Sequence, residues 1–261
     1  MEEQDSSRTA NDRRPPATEP DPGSVSIVIP VHNEEDILRR TVEHIIAGLQ
    51  GLGIGSFEIV LSENGSADAT RRIAGELARE SPQVCVIALD RPDYGAALKA
   101  GFLAARGRFI VNFDADYFDL DFLAAAMETD ADVVIAAKGL LGSHDTRILT
   151  RRIISRGFGW LVRHILGVHV TETHGMKLFV REAITPLVAD VMSTQDLFDT
   201  ELIARAEWAG LRIAQVPIRT EELRHSRTGI FRRIPRTMWG LIKLRYRIRE
   251  HRAAAIRVGR T

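Results

Sequence analysis

Short apolar segments alternate with longer amphipathic stretches over the first half of the chain. The apolar segments lie at residues 25–31, 57–62, 83–89, 108–113 and 131–137. They are rich in Val and Ile, which is typical of strands covered on both faces. The stretches that follow the first three segments have apolar residues at helical spacing over ten or more positions. Strands that alternate with such helices predict an α/β fold with a mostly parallel central sheet and helices on both faces.

The second half of the chain gives weaker signals. Residues 176–180 and 211–218 are predicted to be strands, with a helix at 200–209 between them. Residues 147–166 have the pattern of a basic amphipathic helix. No stretch approaches the ~18 uncharged apolar residues of a membrane-spanning helix, so no such helix is expected.

Three regions are expected in the 261 residues. Residues 1–24 are rich in Pro, Ser and charge and lack an apolar core segment, which predicts a disordered leader rather than a secretory signal. Residues 25–221 form the α/β domain, and residues 222–261 a basic helical extension. From Arg224 onward twelve Lys and Arg residues stand against one acid, Glu250. We expect this end of the chain to be attracted to an anionic surface or ligand.

Composition narrows the setting in which the protein works. The single cysteine, Cys85, lies in an apolar segment and excludes a disulfide within the chain. A cytoplasmic location is therefore expected, with peripheral attachment to the membrane as an option for the basic end. The net charge is zero and no segment matches a nucleic-acid reading motif, so no nucleic-acid partner is expected.

Ligands of open parallel sheets bind beyond the carboxyl ends of the strands, so the loops there decide the chemistry. The loop after the first segment, residues 30–36, reads PVHNEED and lacks the glycines of a dinucleotide-binding fold. Asn33 with Asp36 is expected to form the N-terminal cap of the helix that follows. The loop after the second, residues 62–70, reads SENGSADAT. It predicts an Asn-Gly turn with Ser66 or Asp68 at a helix start. Alternatively, Glu63 accepts hydrogen bonds from a base or ribose.

Four aspartates follow the fourth apolar segment within eight positions, at 114, 116, 119 and 121. Phe118 and Asp119 break the pattern of an EF-hand, and Phe118 also stands where an aspartyl phosphatase motif has threonine. The remaining interpretation is that Asp114 and Asp116 hold Mg²⁺ or Mn²⁺ against a diphosphate, because Mg²⁺ typically uses one or two carboxylates plus substrate phosphates. Asp119 or Asp121 is expected to start the next helix.

Four motifs occur in succession between residues 25 and 218: VSIVIPVHNEED, SENGSADAT, DYGAALKAGFLAARGRFIVNFDAD and FDTELIARAEWAGLRIAQVPI. In this order and spacing they resemble the family 2 glycosyltransferases of the GT-A fold. Within that family the chain is most similar to the dolichyl-phosphate mannose synthase and polyprenyl-phosphate glycosyltransferase group. The resemblance implies inverting transfer of a hexose from a GDP- or UDP-linked donor to a polyprenyl or dolichyl phosphate, with Mg²⁺ or Mn²⁺ as cofactor.

The resemblance also implies roles for individual residues. The nucleotide would be bound by residues of the first loops and of the aspartate cluster, namely Pro30, Val31, Glu34, Glu63, Ser66 and Asp114. The catalytic group would comprise Lys99, Asp116 and Asp199, and the metal would be held by Asp114 and Asp116. The sugar and acceptor pocket would include His174, Gly175, Lys177 and Glu201.

The nature of the acceptor decides which further residues are needed. A lipid phosphate has an oxygen that is already anionic and needs no general base. The basic side chains suited to hold it are Arg147, Arg151, Arg152 and Lys177. A hydroxyl acceptor needs a carboxylate to take its proton, and Asp196 and Asp199 are the candidates.

Three positions differ from the family pattern. Phe118 replaces a polar residue after the aspartate pair, Glu63 and Asn64 replace two aspartates, and the segment 172–177 departs from the usual acceptor motif. Transfer to a soluble hydroxyl acceptor, and a non-catalytic homologue that binds nucleotide sugars, therefore stay as alternatives. The extension at 229–252 is expected either to lie on an anionic bilayer or to pack on the domain.

Overall fold

A computed structural model of the protein describes residues 21, 23–137, 157, 161–169, 175–218 and 240–246. Its centre is one seven-stranded sheet. The strands are β1 (Val25–Val31), β2 (Phe57–Asn64), β3 (Val84–Leu89), β4 (Phe109–Asn112), β5 (Val133–Ala137), β6 (Lys177–Val180) and β7 (Ile213–Pro217). They lie in the order β3-β2-β1-β4-β6-β5-β7, so all seven predicted strands are present.

In the described ranges, six helices with both ends defined connect the strands. They are α1 (Leu38–Gly51), α2 (Thr70–Glu80), α3 (Tyr94–Ala104), α4 (Leu120–Met127), α5 (Arg181–Asp190) and α6 (Phe198–Trp208). A short 3₁₀ turn, Gln195–Leu197, leads into α6. The segments 161–166 and 240–246 are also helical.

The sheet is mostly parallel, as predicted. The β1–β2, β2–β3, β1–β4 and β5–β7 pairs are parallel, whereas β6 runs antiparallel to both β4 and β5. The register places Val31 of β1 beside Glu63 of β2, and Asn112 of β4 beside Lys177 of β6. The carboxyl ends of β1, β2 and β4 therefore meet at one edge, together with the beginning of β6.

Helices cover both faces of the sheet, which explains why the strands are apolar at nearly every position. On β1, Ile27 and Ile29 point to the face covered by α1, α2 and α4, with Leu38 and Phe122 among their neighbours. Val28 points to the opposite face. That second core consists largely of side chains from α3, α5 and α6, including Leu98, Phe102, Val188, Phe198 and Leu202.

A third, smaller core lies against α6. Val162 and Leu166 of the segment 161–166 pack with Leu241 and Leu244 of the segment 240–246 around Ala204. The predicted helix at 147–166 is described only at residue 157 and from 161 onward, where it is helical. Within the described ranges, no helix is long and apolar enough to cross a membrane.

Two helices begin later than the sequence predicts. The N-cap of α1 is Ile37, not Asn33, and the N-cap of α2 is Ala69, with no capping side chain at either position. Asn33 and Ser66 instead make contacts between loops, whereas Asp68 Oδ1 accepts a hydrogen bond from the N–H of Thr70, the first residue of α2, at 2.9 Å. The prediction that Asp119 or Asp121 starts the helix after the aspartate cluster is confirmed, because Asp119 caps α4 by accepting a hydrogen bond from the backbone N–H of Phe122 at 3.0 Å.

Candidate active site

The loops after β1 and β2 are tied together by hydrogen bonds. The backbone N–H of Asn33 donates to Ser66 Oγ at 3.1 Å, and Asn33 Oδ1 accepts from the N–H of Ala67 at 2.9 Å. The N–H of Glu34 donates to Thr70 Oγ1 at 2.8 Å. These non-local bonds use the side chains that would otherwise cap α1 and α2, so both helices start further along the chain.

Glu63 lies fully buried near the end of β2. Its Oε1 accepts a hydrogen bond from the backbone N–H of Ser66 at 2.6 Å. Its Oε2 has no hydrogen-bond partner among the described residues. Buried carboxylate oxygens are normally satisfied, so Oε2 is a hydrogen-bond acceptor that the described residues leave without a donor. Pro30 and Val31 are buried on the neighbouring strand end.

Asp114 and Asp116 lie in a tight turn directly after β4. The backbone of Asp114 donates to the carbonyl of Tyr117 at 3.0 Å, and the N–H of Tyr117 donates back to the carbonyl of Asp114 at 3.2 Å. Thr41 of α1 anchors the turn by donating to the carbonyl of Ala115 at 2.8 Å. Asp116 is consequently exposed at the tip of the turn, while Asp114 is half-buried at its base.

Phe118, which differs from the family pattern, has a packing role. Its ring lies 5.3 Å from the ring of His44 and 6.1 Å from that of Phe113, measured between centroids. It belongs to the core on the α1 side of the sheet. Phe118 therefore supports the turn from that core.

Asp114 lies in a concentration of negative charge. Burial raises its pKa to about 6, and the charges of Asp116 and Asp199 add to the rise. The hydroxyl of Tyr94, 3.2 Å from Asp114 Oδ1, and the ammonium of Lys177 act in the opposite direction. A group of carboxylates in this state attracts a cation.

Lys177 lies next to this group but faces the protein interior. Its side chain is fully buried, and Nζ donates to Asp199 Oδ1 at 2.9 Å and to the carbonyl of Gly175 at 2.7 Å. Asn112 completes the network, because its Oδ1 accepts from the N–H of Lys177 at 3.0 Å and its Nδ2 donates to the Gly175 carbonyl at 3.3 Å. Lys177 thus holds the Asp199 carboxylate and the Gly175 carbonyl in place, and its buried ammonium is not accessible to an acceptor.

Lys99 and Glu201 also have contacts that the sequence pattern does not reveal. Lys99 Nζ donates to the carbonyls of Ala189 and Val191 at 2.9 and 2.7 Å. Glu201 is fully buried and accepts from the N–H of Ser193 at 2.7 Å and from Arg205 Nε at 2.8 Å. Both side chains therefore fix the segment between α5 and α6, and among the described residues neither forms a hydrogen bond or ion pair with Asp114 or Asp116.

Some of the predicted site residues have no structural description. Arg147, Arg151, Arg152 and His174 lie outside the described residues. Gly175 is described and has a φ of 99°, a left-handed conformation that favours glycine. Its carbonyl accepts hydrogen bonds from Lys177 Nζ and Asn112 Nδ2.

Sequence reasoning missed Asp93, Tyr94 and Asn112. The position of Asp93 before a helical pattern is a recognisable cap signal, and Asp93 does cap α3 by accepting from the N–H of Ala96 at 3.0 Å. The contacts of Tyr94 and Asn112 join elements far apart in the chain, and no local pattern reports them.

Asp114 and Asp116 are the side chains that could hold a divalent cation. Across the described ranges, no group of three or more His, Cys, Asp or Glu side chains is arranged as a complete metal site. Two carboxylates nevertheless suit a hard cation such as Mg²⁺ or Mn²⁺ that takes its remaining oxygens from a diphosphate and water. The crowding of negative charge around Asp114 fits such a cation.

A mixed seven-stranded sheet with helices on both faces is the architecture of the GT-A fold, which the solved structures described below share. The chain belongs to glycosyl transferase family 2, whose family model matches residues 26–187. It is therefore a glycosyltransferase.

Curated relatives cover most of this chain. Glycosyltransferase AglD of Haloferax volcanii is 31% identical over 245 residues, which is 88% of this chain but only 39% of AglD. A dolichyl-phosphate beta-glucosyltransferase of Drosophila melanogaster is 28% identical over 237 residues, covering 83% of this chain and 73% of that protein.

Solved structures agree with the fold. Glucosyl-3-phosphoglycerate synthase of Mycobacterium tuberculosis, crystallised with Mn²⁺, UDP and glucosyl-3-phosphoglycerate, superposes with a TM-score of 0.57 at 21% identity, and the match covers 85% of this chain and 78% of that chain. Mannosyl-3-phosphoglycerate synthase of Rubrobacter xylanophilus gives a TM-score of 0.57 at 18% identity, covering 91% of this chain and 80% of its own.

Proposed function

We propose that the protein transfers a hexose from a nucleotide sugar to a polyprenyl or dolichyl phosphate, with help from a divalent cation. The observation that supports this most is the turn that presents Asp114 and Asp116 where negative charge is already concentrated. Relatives named dolichyl-phosphate beta-glucosyltransferase favour glucose as the sugar and a lipid phosphate as the acceptor.

The donor nucleotide would bind over the ends of β1 and β2. Glu63 Oε2 is buried and lacks a partner among the described residues, so it could accept a hydrogen bond from a base N–H once the residues that cover it move aside. Pro30 and Val31 form the buried strand end beside it. Glu34 lies on the loop after β1 and Ser66 on the loop after β2, and hydrogen bonds join these two loops. A base bound to Oε2 would leave the existing hydrogen bond between Ser66 and Glu63 Oε1 intact.

The diphosphate would lie toward the Asp114–Asp116 turn. Asp116 is exposed and Asp114 half-buried, so these side chains would hold Mg²⁺ or Mn²⁺ on the ligand side of the turn. When bound, such a cation neutralises the charge that develops on the departing nucleoside diphosphate. Neighbouring structures that contain UDP together with Mn²⁺ or Mg²⁺ support the assignment.

The contacts of Asp199 favour a phosphate acceptor over a hydroxyl acceptor. Its carboxylate is buried and bound to the ammonium of Lys177 at 2.9 Å. If Asp199 took a proton from a hydroxyl, its carboxylate would lose its charge and the ion pair with Lys177 would be lost. Asp199 is therefore poorly suited to be a general base. A phosphate acceptor needs no base: its anionic oxygen forms the bond to the anomeric carbon, and the nucleoside diphosphate leaves with the electron pair of the old bond. Arg147 and Arg151 remain the proposed phosphate ligands.

The basic C-terminal end would bring the enzyme to a membrane that contains the acceptor. In the segment 240–246, Leu241 and Leu244 are buried against the domain, whereas Ile242 and Tyr246 are exposed. The segment therefore packs on the domain and still offers an outer face with Lys243 and Arg245 beside these two side chains. Attachment to the cytoplasmic face of a membrane is part of the proposal.

The test is transfer of labelled sugar from UDP-glucose or GDP-mannose to dolichyl phosphate in detergent, followed by extraction of the lipid product. Asp116→Ala is expected to lower the rate about a hundredfold or more. Asp121→Ala is the matched control, because Asp121 is exposed in the first turn of α4. Activity that ignores Mn²⁺, or transfer only to a soluble hydroxyl compound, would contradict the proposal.

A further inference from the structure

We propose that Tyr94 is a positioning residue for the cation site, an inference that rests on the metal-binding role proposed above for Asp114 and Asp116. The hydroxyl of Tyr94 lies 3.2 Å from Asp114 Oδ1. By donating to this oxygen, it fixes the orientation of the carboxylate and leaves Oδ2 for the cation. Outer contacts of this kind strongly affect the affinity of metal ligands.

Asp114 needs such a partner because of where it lies. The turn fixes its backbone through two hydrogen bonds with Tyr117, but those bonds do not fix the side chain. The charges of Asp116 and Asp199 repel the carboxylate, while that of Lys177 attracts it. Without the Tyr94 hydroxyl, the carboxylate would be drawn toward Lys177, away from the exposed Asp116. A hydrogen bond from a neutral hydroxyl to a carboxylate is stronger than one between neutral groups, so Tyr94 can resist this pull.

Tyr94 is itself held by the residue before it. The N–H of Asp93 donates to Asn64 Oδ1 at 2.6 Å, which ties the start of α3 to the end of β2. The carboxylate of Asp93 accepts from the N–H of Ala96 at 3.0 Å and from the N–H of Gln195 at 2.8 Å. The first residue of α3 is thus fixed to two other parts of the site.

Gly95, the residue after Tyr94, also restricts the position of α3. A Cβ added at Gly95 would lie 2.7 Å from the backbone nitrogen of Gln195 and 2.8 Å from Phe198 Cβ. The first turn of α3 therefore rests directly on the start of α6 and has no room to move toward it. A side chain supported in this way can hold a metal ligand more precisely than a loop residue can.

The experiment compares Tyr94→Phe with the wild type. This change removes one hydroxyl and keeps the ring. Mn²⁺ is titrated into protein saturated with UDP, and in a parallel arm with GDP, and free Mn²⁺ is measured by electron paramagnetic resonance. The dissociation constant for Mn²⁺ is expected to rise about tenfold. Tyr246→Phe is the matched control, because Tyr246 is 65% exposed on the segment 240–246, and it should bind Mn²⁺ as the wild type does.

A second measurement separates positioning from a general effect on folding. The unfolding equilibrium of the ligand-free protein is measured for Tyr94→Phe, Asp114→Ala and the double variant. If the hydroxyl acts through Asp114, Tyr94→Phe changes the equilibrium constant about fivefold when Asp114 is present and much less when it is Ala, which has no oxygen to accept the hydrogen bond. Equal effects in both backgrounds would overturn the positioning role.

The outcomes also separate this inference from the proposed function. Mn²⁺ binding by Tyr94→Phe within twofold of the wild type would overturn the role of Tyr94 alone. Absence of Mn²⁺ binding by the wild type in both nucleotide arms would overturn the metal-assisted function and the Tyr94 role together.

Discussion

The ammonium of Lys177 lies 2.9 Å from Asp199 Oδ1, and the two side chains are 0% and 5% exposed. The pair joins β6 to the first turn of α6 directly beside Asp114. Burial of a charge carries a large desolvation penalty, which the opposite charge of an ion-pair partner offsets. If one partner is removed, the remaining buried charge keeps that penalty without compensation. Lys177 and Asp199 therefore form one structural unit at the back of the proposed cation site.

Breaking this unit should destabilise the protein strongly. Lys177→Met leaves Asp199 buried without its ion-pair partner, and we expect the free energy of unfolding in urea to fall by about 3–5 kcal/mol. The double variant Lys177→Met/Asp199→Leu should recover much of that loss, because no charge remains buried. Arg72→Met is the control: Arg72 is 64% exposed in its pair with Glu76, so its loss should change stability by about 0.5 kcal/mol. Equal stability of Lys177→Met and Arg72→Met would contradict the role of the pair.

The raised pKa of Asp114 predicts a pH-dependent stability. The pKa is about 6 in the folded protein, against an ordinary value of 3.8. Between these two values the folded state binds more protons than the unfolded state, so stability is lost as the pH rises toward and through 6. Asp114→Asn removes this loss and should stabilise the ligand-free protein by up to about 3 kcal/mol near pH 7.5 and about half as much near pH 5.

Urea unfolding at the two pH values tests this prediction. Asp121→Asn is a useful control, because the exposed Asp121 lies in the first turn of α4, where a negative charge is favourable. It should not stabilise the protein at either pH. A stabilisation by Asp114→Asn that is the same at both pH values would show that burial of its charge is not the cause.

Local patterns in the sequence were sufficient for the strands and for one cap. Most strands contain a short apolar segment, and the nearly continuous apolar pattern of β1 and β5 follows from a sheet covered on both faces, as the opposite directions of Ile27 and Val28 show. Asp119 caps α4 through a neighbour three residues away, so the sequence alone could reveal it. Helix α5 was not predicted; it contains Pro186, which cannot donate a backbone hydrogen bond inside a helix and weakens the helical signal.

Contacts between distant parts of the chain account for the rest. Asn33 and Ser66 have the chemistry of helix caps but bind each other's loops. Lys99 has the charge expected of a phosphate ligand, yet its ammonium binds two carbonyls at the end of α5. The residue type determines which hydrogen-bond partners a side chain can have, whereas the fold determines which of those partners lie within reach.

Glu63 offers a direct test of the donor site. In Glu63→Gln the amide oxygen can still accept from Ser66, but an NH₂ group replaces the unpaired oxygen and would face a donor on the base. We expect the affinity for the matching nucleotide to fall about tenfold or more in isothermal titration of UDP and GDP. Glu58→Gln is the control, because Glu58 binds Ser26 and Arg106 near the opposite edge of the sheet. Unchanged nucleotide binding by Glu63→Gln would remove Glu63 from the base site.

Gly95 tests how closely α3 must approach α6. Gly95→Ala places a methyl group within 3.0 Å of Gln195, Phe198 and Thr194, and two of these contacts are with backbone atoms that cannot rotate away. We expect a loss of about 1–3 kcal/mol in unfolding free energy, with a lower transfer rate because the starts of both helices shift. Gly75→Ala in α2 is the matched control: nothing lies within 4 Å of its added Cβ, so it should stabilise the protein by about 0.5–1 kcal/mol. If Gly95→Ala stabilised the protein as Gly75→Ala does, the close approach would not constrain the site.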